Sequence, residues 1–179
     1  YDYSTIFMHT KELIQEADLA IVNEEVIIGG EELGISGYPA FNAPFELGHE
    51  LVETGFDVIC HGTNHALDKG KKGVLNCLDF WKENYPEIKV LGIHENEEES
   101  DISYLEKNNI KIAFVNYTYG LNGLNLPTGK EYMVDLLGND TEIEATLLEA
   151  ENNSDITIAI LHIGTEYVYK PTSYHKKYV

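Results

Sequence analysis

The stretch Gly55-Phe-Asp-Val-Ile-Cys-His-Gly-Thr-Asn-His-Ala-Leu-Asp-Lys-Gly70 decides the fold class of this chain. Its short apolar run, Val58–Cys60, is typical of a buried strand, and a helical pattern begins near Gly70. Polar side chains separate the two: Thr63, Asn64, His65 and Asp68. Open α/β sheets place their ligands outside the carboxyl ends of strands, beside the helices that follow. The stretch therefore predicts an α/β sheet with a functional site directly after this strand.

Two other apolar runs end in polar residues in the same way. Residues 19–22 lead into Asn23 and Glu25, and residues 155–161 lead into His162. If the three strands lie side by side in one sheet, their polar ends converge. A set of Glu, Asn and His ligands suits Mn, Fe or Zn better than Mg or Ca. Taken singly, a strand-end histidine is also typical of a structural hydrogen bond, and Asn64 of a turn.

The rest of the chain alternates between predicted helices and strands. Gly55 suits the C-terminal cap of the second helix, and the acidic run 95–101 is typical of a solvated turn. The helices are predicted over 4–17, 44–54, 70–84 and 140–152. Further strands are predicted over 89–91 and 133–136, with a hairpin of 102–106 and 110–117.

Composition bounds the function. Hydrophobic residues make up 43% of 179, enough for a core, so we expect one domain over 1–179. The 31 acidic and 12 basic residues give a net charge of -19, which excludes the binding of nucleic acid or anionic lipid through a basic face. A bound divalent metal could still attract an anionic substrate. No apolar run approaches a membrane span. Cys60 and Cys77 are predicted to be buried thiols; a disulfide between them is the alternative that the sequence leaves undecided.

Four segments together resemble a known family. They are Ala17–Glu25, with its strand ending in Asn-x-Glu; Phe41-Asn-Ala-Pro44; the stretch 55–70, with Asn-His-x-x-Asp-x-Gly; and His162-Ile-Gly-Thr-Glu-Tyr167 with Pro171. Their order and spacing resemble the CapA family of poly-γ-glutamate capsule synthesis proteins, within the calcineurin-like metallophosphoesterase superfamily. The resemblance covers nearly the whole chain.

Some family features differ or are missing. Thr63 replaces the first Asn of the family's Asn-Asn-His motif, and Ile163 replaces its usual Trp. The family's opening Gly-Asp element and its later Gly-His-x-His element would both lie outside residues 1–179. We therefore expect an internal fragment: one CapA-like domain that lacks both terminal motifs and holds part of a two-metal site.

The resemblance implies a calcineurin-like fold, a four-layer α/β/β/α sandwich that is incomplete in this chain. It also implies two divalent ions in the complete domain, which activate water for attack on phosphorus. Carried over to this sequence, Asn64 and His162 would be metal ligands, and Glu25 stands where the superfamily has a bridging Asp. His65 would be the general acid or transition-state donor, oriented by Asp68.

The same resemblance assigns the remaining residues of the motifs. Asn23, Glu166 and Tyr167 are predicted to line the substrate pocket. His61 stands where the family has an apolar residue and is left without a role. Four further histidines match no motif and are predicted to be exposed: His9, His49, His94 and His175.

Two functions follow as expectations. The first is a metal-dependent hydrolase acting on a phosphoester or on the γ-glutamyl amide of a capsule polymer. The second is a non-catalytic cell-surface protein that binds or exports an anionic polymer. The resemblance implies a bacterial protein outside the cell, held to the membrane only by an anchor beyond these residues. Exposed strand edges could also pair two copies of the chain.

Overall fold

A computed structural model describes residues 1–179, which form two three-stranded sheets. The first sheet is parallel, in the order β1-β2-β3. The second sheet has the order β4-β5-β6, with β4 antiparallel and β6 parallel to β5. The strands are β1 (Ile21–Asn23), β2 (Val58–Cys60), β3 (Lys89–Leu91), β4 (Ser103–Lys107), β5 (Ile110–Thr118) and β6 (Ile156–His162). The expectation that the three strands leading to the site share one sheet is wrong, because β6 belongs to the second sheet.

Five helices accompany the sheets: α1 (Lys11–Gln15), α2 (Phe45–Thr54), α3 (Gly70–Asn84), α4 (Asp140–Asn152) and α5 (Ser173–Tyr178). The predictions for α2, α3 and α4 are confirmed, and Gly55 ends α2 in the left-handed conformation that glycine favours. The helix predicted over 4–17 is reduced to α1, preceded by turns. Ile6 and Leu13 are exposed and only Phe7 and Ile14 pack against the core, so little apolar burial supports a longer helix there.

The elements stack in four layers. Between the two sheets lies a dry cluster of Val58, Cys60 and Phe114, against which Ile158 also packs. The outer face of the first sheet packs on α2 and α3, and that of the second packs on α4. Burial of each large apolar side chain contributes roughly 1.5–3 kcal/mol. The calcineurin-like four-layer α/β fold predicted from sequence is confirmed, with three strands in each sheet.

The segment 133–137 is not the strand that the sequence predicts for 133–136. A 3-10 turn, Glu131–Met133, leads into two single β-bridges, Ile93 with Val134 and Thr118 with Leu136. The segment runs between the ends of two different sheets, so it cannot form a ladder with either. We call residues 133–137 the bridging segment, because it connects the end of β3 to the end of β5.

The predicted hairpin turn and the predicted buried cysteines are confirmed. Asn108 and Asn109 both have positive φ, at 54° and 61°, which is the backbone of the tight turn that closes the β4–β5 hairpin. Cys60 and Cys77 are buried free thiols. None of the helices is long and apolar enough to span a membrane.

Candidate functional site

The ends of β1, β2 and β6 meet in an open crevice of about 540 Å³. The first two strands come from one sheet and the third from the other, so the crevice lies across the edge of the sandwich. Residues predicted from all three strand ends line it: Asn23, Glu25, Asn64, His162 and Glu166. The predicted convergence therefore exists, although two facing sheets create it rather than one.

His162 stands at the centre of the crevice. Its Nε2 lies 2.7 Å from Asn64 Oδ1 and 3.7 Å from Glu25 Oε1. Its Nδ1 lies 3.3 Å from Asn23 Oδ1. The Tyr119 ring lies nearly parallel to the imidazole, with the centroids 6.4 Å apart. Three oxygen groups thus surround one histidine whose ring plane is set by a neighbouring aromatic ring.

His65 and Asp68 form a second pair beside this centre. His65 Nδ1 lies 2.7 Å from Asp68 Oδ2. The backbone N–H of Phe41 donates to the same carboxylate oxygen at 2.7 Å, and the Phe41 ring meets the imidazole edge-on. The carboxylate is thereby fixed, and it holds the imidazole in one orientation. Sequence reasoning quoted Phe41 within a motif but gave it no role.

Asn122 connects the two pairs. Asn64 Nδ2 donates to Asn122 Oδ1 at 3.0 Å, while Asn122 Nδ2 lies 3.3 Å from His65 Nε2. Asn122 has a positive φ of 52° in the loop after β5. The loop is rich in Gly and Asn and matches no motif, so the sequence gave no sign that Asn122 belongs to the site.

Asn116 holds the two sheets together behind the crevice. Its side chain is fully buried; Oδ1 accepts from the Gly62 N–H at 2.7 Å, and Nδ2 donates to Ile160 O at 3.2 Å. A Cβ on Gly62 would lie 2.7 Å from Asn116 Oδ1, so glycine is required for this close approach. The strand ends that carry Asn64 and His162 are therefore fixed relative to each other.

The crevice carries negative charge. No Lys or Arg lines it, whereas Glu25 and Glu166 do. Burial lowers the pKa of His162, the charge of Glu25 partly offsets this, and His65 lowers it further. Burial also raises the pKa of the adjacent Glu24 to about 7. His162 is consequently biased toward the neutral form, which is the form that binds a metal.

Two predicted pocket residues are placed differently. Glu166 lines the crevice, whereas the Tyr167 side chain is 92% exposed and does not line it. The backbone of Tyr167 has a positive φ of 61°. In this conformation the Tyr167 ring reaches into solvent.

The remaining histidines divide into three groups. His9 and His49 are exposed as predicted, and His175 is partly buried in the capping box of α5. His61 is fully enclosed: its Nε2 accepts from Trp81 Nε1 at 3.1 Å, and burial lowers its pKa to about 4.

The prediction that His94 is exposed is wrong. Its exposed fraction is 7%, because it packs against the bridging segment and bonds Asp135 there. With Asp101 and Asp135 it forms a cluster whose potential ligand atoms all lie within 4.8 Å of one another. Sequence reasoning missed this cluster, because the acidic run 95–101 that contains Asp101 is typical of a solvated turn, and Asp135 lies much further along the chain and matches no motif.

The crevice residues fit a divalent metal. The Nε2 of His162 and the Oδ1 of Asn64 face each other, and a carboxylate oxygen of Glu25 lies on the same side of the ring. One imidazole nitrogen with amide and carboxylate oxygens is a donor set for a borderline divalent ion. Asn64 and His162 would hold such an ion, with Glu25 as a third ligand. The His65–Asp68 pair beside them could then donate or accept a proton.

Comparison with known proteins gives two matches. The model of the family described as bacterial capsule synthesis protein PGA_cap matches residues 1–179. The PGA biosynthesis protein CapA of Bacillus subtilis (strain 168) is 30% identical over 123 residues, which are 68% of this chain. The matched region spans 32% of that relative, so the chain corresponds to about a third of its length.

Proposed function

This chain belongs to the family of bacterial capsule synthesis proteins, and we propose that its crevice is the metal-dependent hydrolase site of a protein that acts in capsule synthesis. The substrate we propose is a phosphoester or the γ-glutamyl amide of a capsule polymer. A distant relative named as a PGA biosynthesis protein supports the amide. Fold alone does not establish an activity, so the proposal depends on the side chains of the crevice.

One observation carries the proposal. Donor atoms of Asn64, His162 and Glu25 converge from two sheets, directly beside an oriented His–Asp pair. A structural histidine needs one or two hydrogen bonds, and it does not need a second histidine held by a buried carboxylate in the same crevice. A hydrolytic site needs both metal ligands and a proton donor within reach of one substrate.

The residues have separate roles in this proposal. A bound divalent ion would polarise the scissile group and stabilise the charge that develops on it. His162 and Asn64 would hold this ion, and Glu25 adds negative charge beside it. His65 donates a proton to the leaving group or a hydrogen bond to the transition state, and Asp68 keeps its Nδ1 occupied so that Nε2 faces the crevice. Asn23 and Glu166 would contact the substrate, whereas Tyr167 could do so only if its ring turned in from solvent.

A non-catalytic protein that binds or exports an anionic polymer is the second candidate. It is favoured by the 2.7 Å contact of Asn64 Oδ1 with His162 Nε2, because an N–H on Nε2 can donate to that oxygen and so occupy the nitrogen without any ion. The charge of the crevice disfavours it, because Glu25 and Glu166 would repel a polyanion and no basic residue lines the crevice. Either function therefore needs a bound cation to attract an anionic partner.

The family suggests an association with the cell envelope. We further propose an extracellular position with a membrane anchor, no nucleic-acid partner, and Mn, Fe or Zn as the metal, two ions in the complete site. Pairing of two copies is proposed through β6, an edge strand with an exposed Ile156.

Metal content and turnover test the proposal together. The protein is loaded with Mn²⁺ or Zn²⁺, dialysed and measured by elemental analysis, and it is assayed on bis-p-nitrophenyl phosphate and on γ-glutamyl-p-nitroanilide. We expect His162→Ala and Asn64→Ala to lose crevice metal and turnover. We expect His65→Ala to keep the metal and lose at least 100-fold in kcat, as general acid–base catalysis contributes roughly that much.

His9→Ala is the matched control, because His9 is exposed and outside the crevice. It should keep wild-type metal content and turnover. Wild-type turnover in His65→Ala would refute the catalytic role of His65. Metal in the crevice without turnover on either substrate would favour the polymer-binding protein.

A further inference from the structure

We propose that His94, Asp101 and Asp135 form a second divalent-cation site, separate from the crevice and beside the end of β3. The crevice lies at β1, β2 and β6, whereas His94 follows β3, the far edge of the first sheet. Asp135 belongs to the bridging segment, and Asp101 immediately precedes the segment of β4. The two sites share no residue.

The distances suit an ion with little rearrangement. His94 Nε2 lies 2.9 Å from Asp135 Oδ1 and 3.9 Å from Asp101 Oδ1. Two ligands of a tetrahedral zinc ion, each about 2.1 Å from the metal, lie roughly 3.4 Å apart. The two separations that join His94 to the carboxylates fall on either side of that value, and all three ligand atoms lie within 4.8 Å of one another, so small side-chain shifts could bring them onto one ion.

An unpartnered buried oxygen points to a missing ligand. Asp135 is only 7% exposed, yet its Oδ2 has no hydrogen-bond partner. The hydroxyl of Tyr117 is likewise buried without a partner, and Tyr117, Asp101 and Asp135 line the same hollow. These are the two buried side-chain polar atoms of the chain that lack a partner. Buried polar groups in native proteins are nearly always satisfied, so a ligand beside Asp135 Oδ2 would supply the partner that this oxygen lacks.

The negative charge of the cluster also favours a bound cation. Burial would lower the pKa of His94, but the hydrogen bond and charge of Asp135, with Asp101 and Glu99, outweigh it and raise the pKa. Burial raises the pKa of Asp135 to about 6 despite the His94 imidazole, and it raises that of Asp101 as well. One imidazole thus faces several carboxylates that repel one another, and a divalent ion would neutralise the excess.

The donor set selects the kind of ion. One imidazole nitrogen and two carboxylate oxygens are ligands of Zn²⁺ or Mn²⁺ rather than Mg²⁺. Glu99 Oε2 lies 3.9 Å from His94 Nδ1, the ring nitrogen on the other side. At that distance Glu99 makes no hydrogen bond to the ring, but its charge favours a proton on Nδ1, and a proton there leaves Nε2 free for a metal.

The position of the site suggests what the ion does. His94 N–H donates to Met133 O and Asp135 N–H donates to Gly92 O, so backbone hydrogen bonds already connect the end of β3 to the bridging segment. The bridging segment in turn pairs with Thr118 at the end of β5. An ion between His94, Asp101 and Asp135 would lock this connection between the sheets, as a structural site that stabilises the fold.

Zinc titration of the metal-free protein tests the inference. The protein is stripped with a chelator and titrated calorimetrically with Zn²⁺ alone, and thermal unfolding is recorded with and without Zn²⁺. We expect Asp135→Asn and Asp101→Asn each to lose one zinc per chain, or to weaken it at least tenfold. The part of the rise in Tm that depends on this zinc should disappear with it, whereas any rise caused by zinc in the crevice should remain. Asp101 is half-exposed, so its variant stays informative if Asp135→Asn folds poorly.

Two controls separate this site from the crevice. Asp79→Asn removes one exposed carboxylate from α3 and should bind zinc as the wild type does. His162→Ala removes a crevice residue and should keep the cluster zinc together with the part of the rise in Tm that depends on that zinc. If Asp135→Asn and Asp101→Asn both retain wild-type stoichiometry, affinity and Tm shift, the cluster is not a metal site. The proposed function of the crevice would survive that result, because it depends on the zinc lost in His162→Ala.

Discussion

Two His–Asp pairs in this protein have nearly the same geometry and different surroundings. His65 Nδ1 lies 2.7 Å from Asp68 Oδ2 beside the crevice, and His94 Nε2 lies 2.9 Å from Asp135 Oδ1 beside the end of β3. The bonded oxygen of Asp68 also accepts from a backbone N–H, whereas Asp135 has a buried oxygen with no partner. Bond length alone therefore does not reveal what a pair does; the partners of the remaining atoms do.

The difference separates an orienting network from a cation site. Around His65 each contact fixes another group, from Phe41 through Asp68 to Asn122. Around His94 carboxylates gather without matching donors. A satisfied network is expected to lose stability when any member is removed, and an over-charged cluster to gain stability when one charge is removed. Three predictions test that contrast, from the largest expected effect to the smallest.

Removal of Asn116 should break the crevice. Asn116→Ala leaves the buried N–H of Gly62 without a partner, removes the bond to Ile160 O and opens a small cavity between the sheets. We expect a loss of about 3 kcal/mol in the free energy of unfolding, from one orphaned buried donor and the lost bonds. Urea unfolding followed by circular dichroism measures it.

The control for Asn116 is Asn125→Ala in the exposed loop after β5. A surface substitution of this kind should change stability by no more than about 0.5 kcal/mol. Equal effects of the two substitutions would mean that the hydrogen bonds of Asn116 do not hold the crevice together.

Sequence patterns predicted one of the two pairs because its members are local. His65 and Asp68 lie three residues apart after a buried strand, and the same strand-end pattern placed Asn64 and His162 in one site. The other pair joins residues 94 and 135, brought together by single β-bridges that no periodicity encodes. Asn116 and Asn122 were missed for the same reason: their contacts depend on how two sheets face each other.

The fold was predictable to a similar degree. Helices α2 and α3 have apolar faces and clear boundaries, and their predicted ranges are confirmed. The helix predicted over 4–17 and the strand predicted over 133–136 have apolar residues too, but in the first several of these are exposed, and the second pairs with two different sheets. Local pattern predicts an element only where tertiary packing uses that pattern.

Removal of the Asp135 charge should raise the free energy of unfolding, whereas removal of Asn116 should lower it. The size of the Asp135 effect should depend on pH. The pKa of Asp135 is raised from 3.8 to about 6, so this group contributes stability below pH 3.8 that is lost as pH rises through 6. His94, whose pKa is also raised, loses its contribution in the same direction above pH 6.5. In chelator, we expect Asp135→Asn to gain on the order of 2 kcal/mol relative to wild type between pH 4 and pH 7.5. Unfolding in urea at both pH values measures it.

Asp79→Asn serves as the control here too, because it removes an exposed carboxylate from α3. Its difference from wild type should stay nearly constant over the same pH range. If Asp135→Asn also showed a constant difference, the carboxylate would be solvated and the excess charge inferred around His94 would not exist.

The Tyr117 hydroxyl gives the smallest and most specific test of the contrast. Tyr117→Phe removes a buried O–H that has no partner and keeps the ring in the core. Without metal the substitution should leave stability unchanged or raise it by about 1 kcal/mol, because an unsatisfied hydroxyl is costly to bury. Tyr104→Phe, on partly exposed β4, is the matched control and should be neutral. A loss of about 1 kcal/mol or more in the free energy of unfolding is the size expected when a hydrogen bond is removed. Such a loss would show that the hydroxyl has a partner in solution. If that loss appeared only with Zn²⁺ present, the partner would belong to the ion's coordination shell, and Tyr117 would join His94, Asp101 and Asp135 in the site.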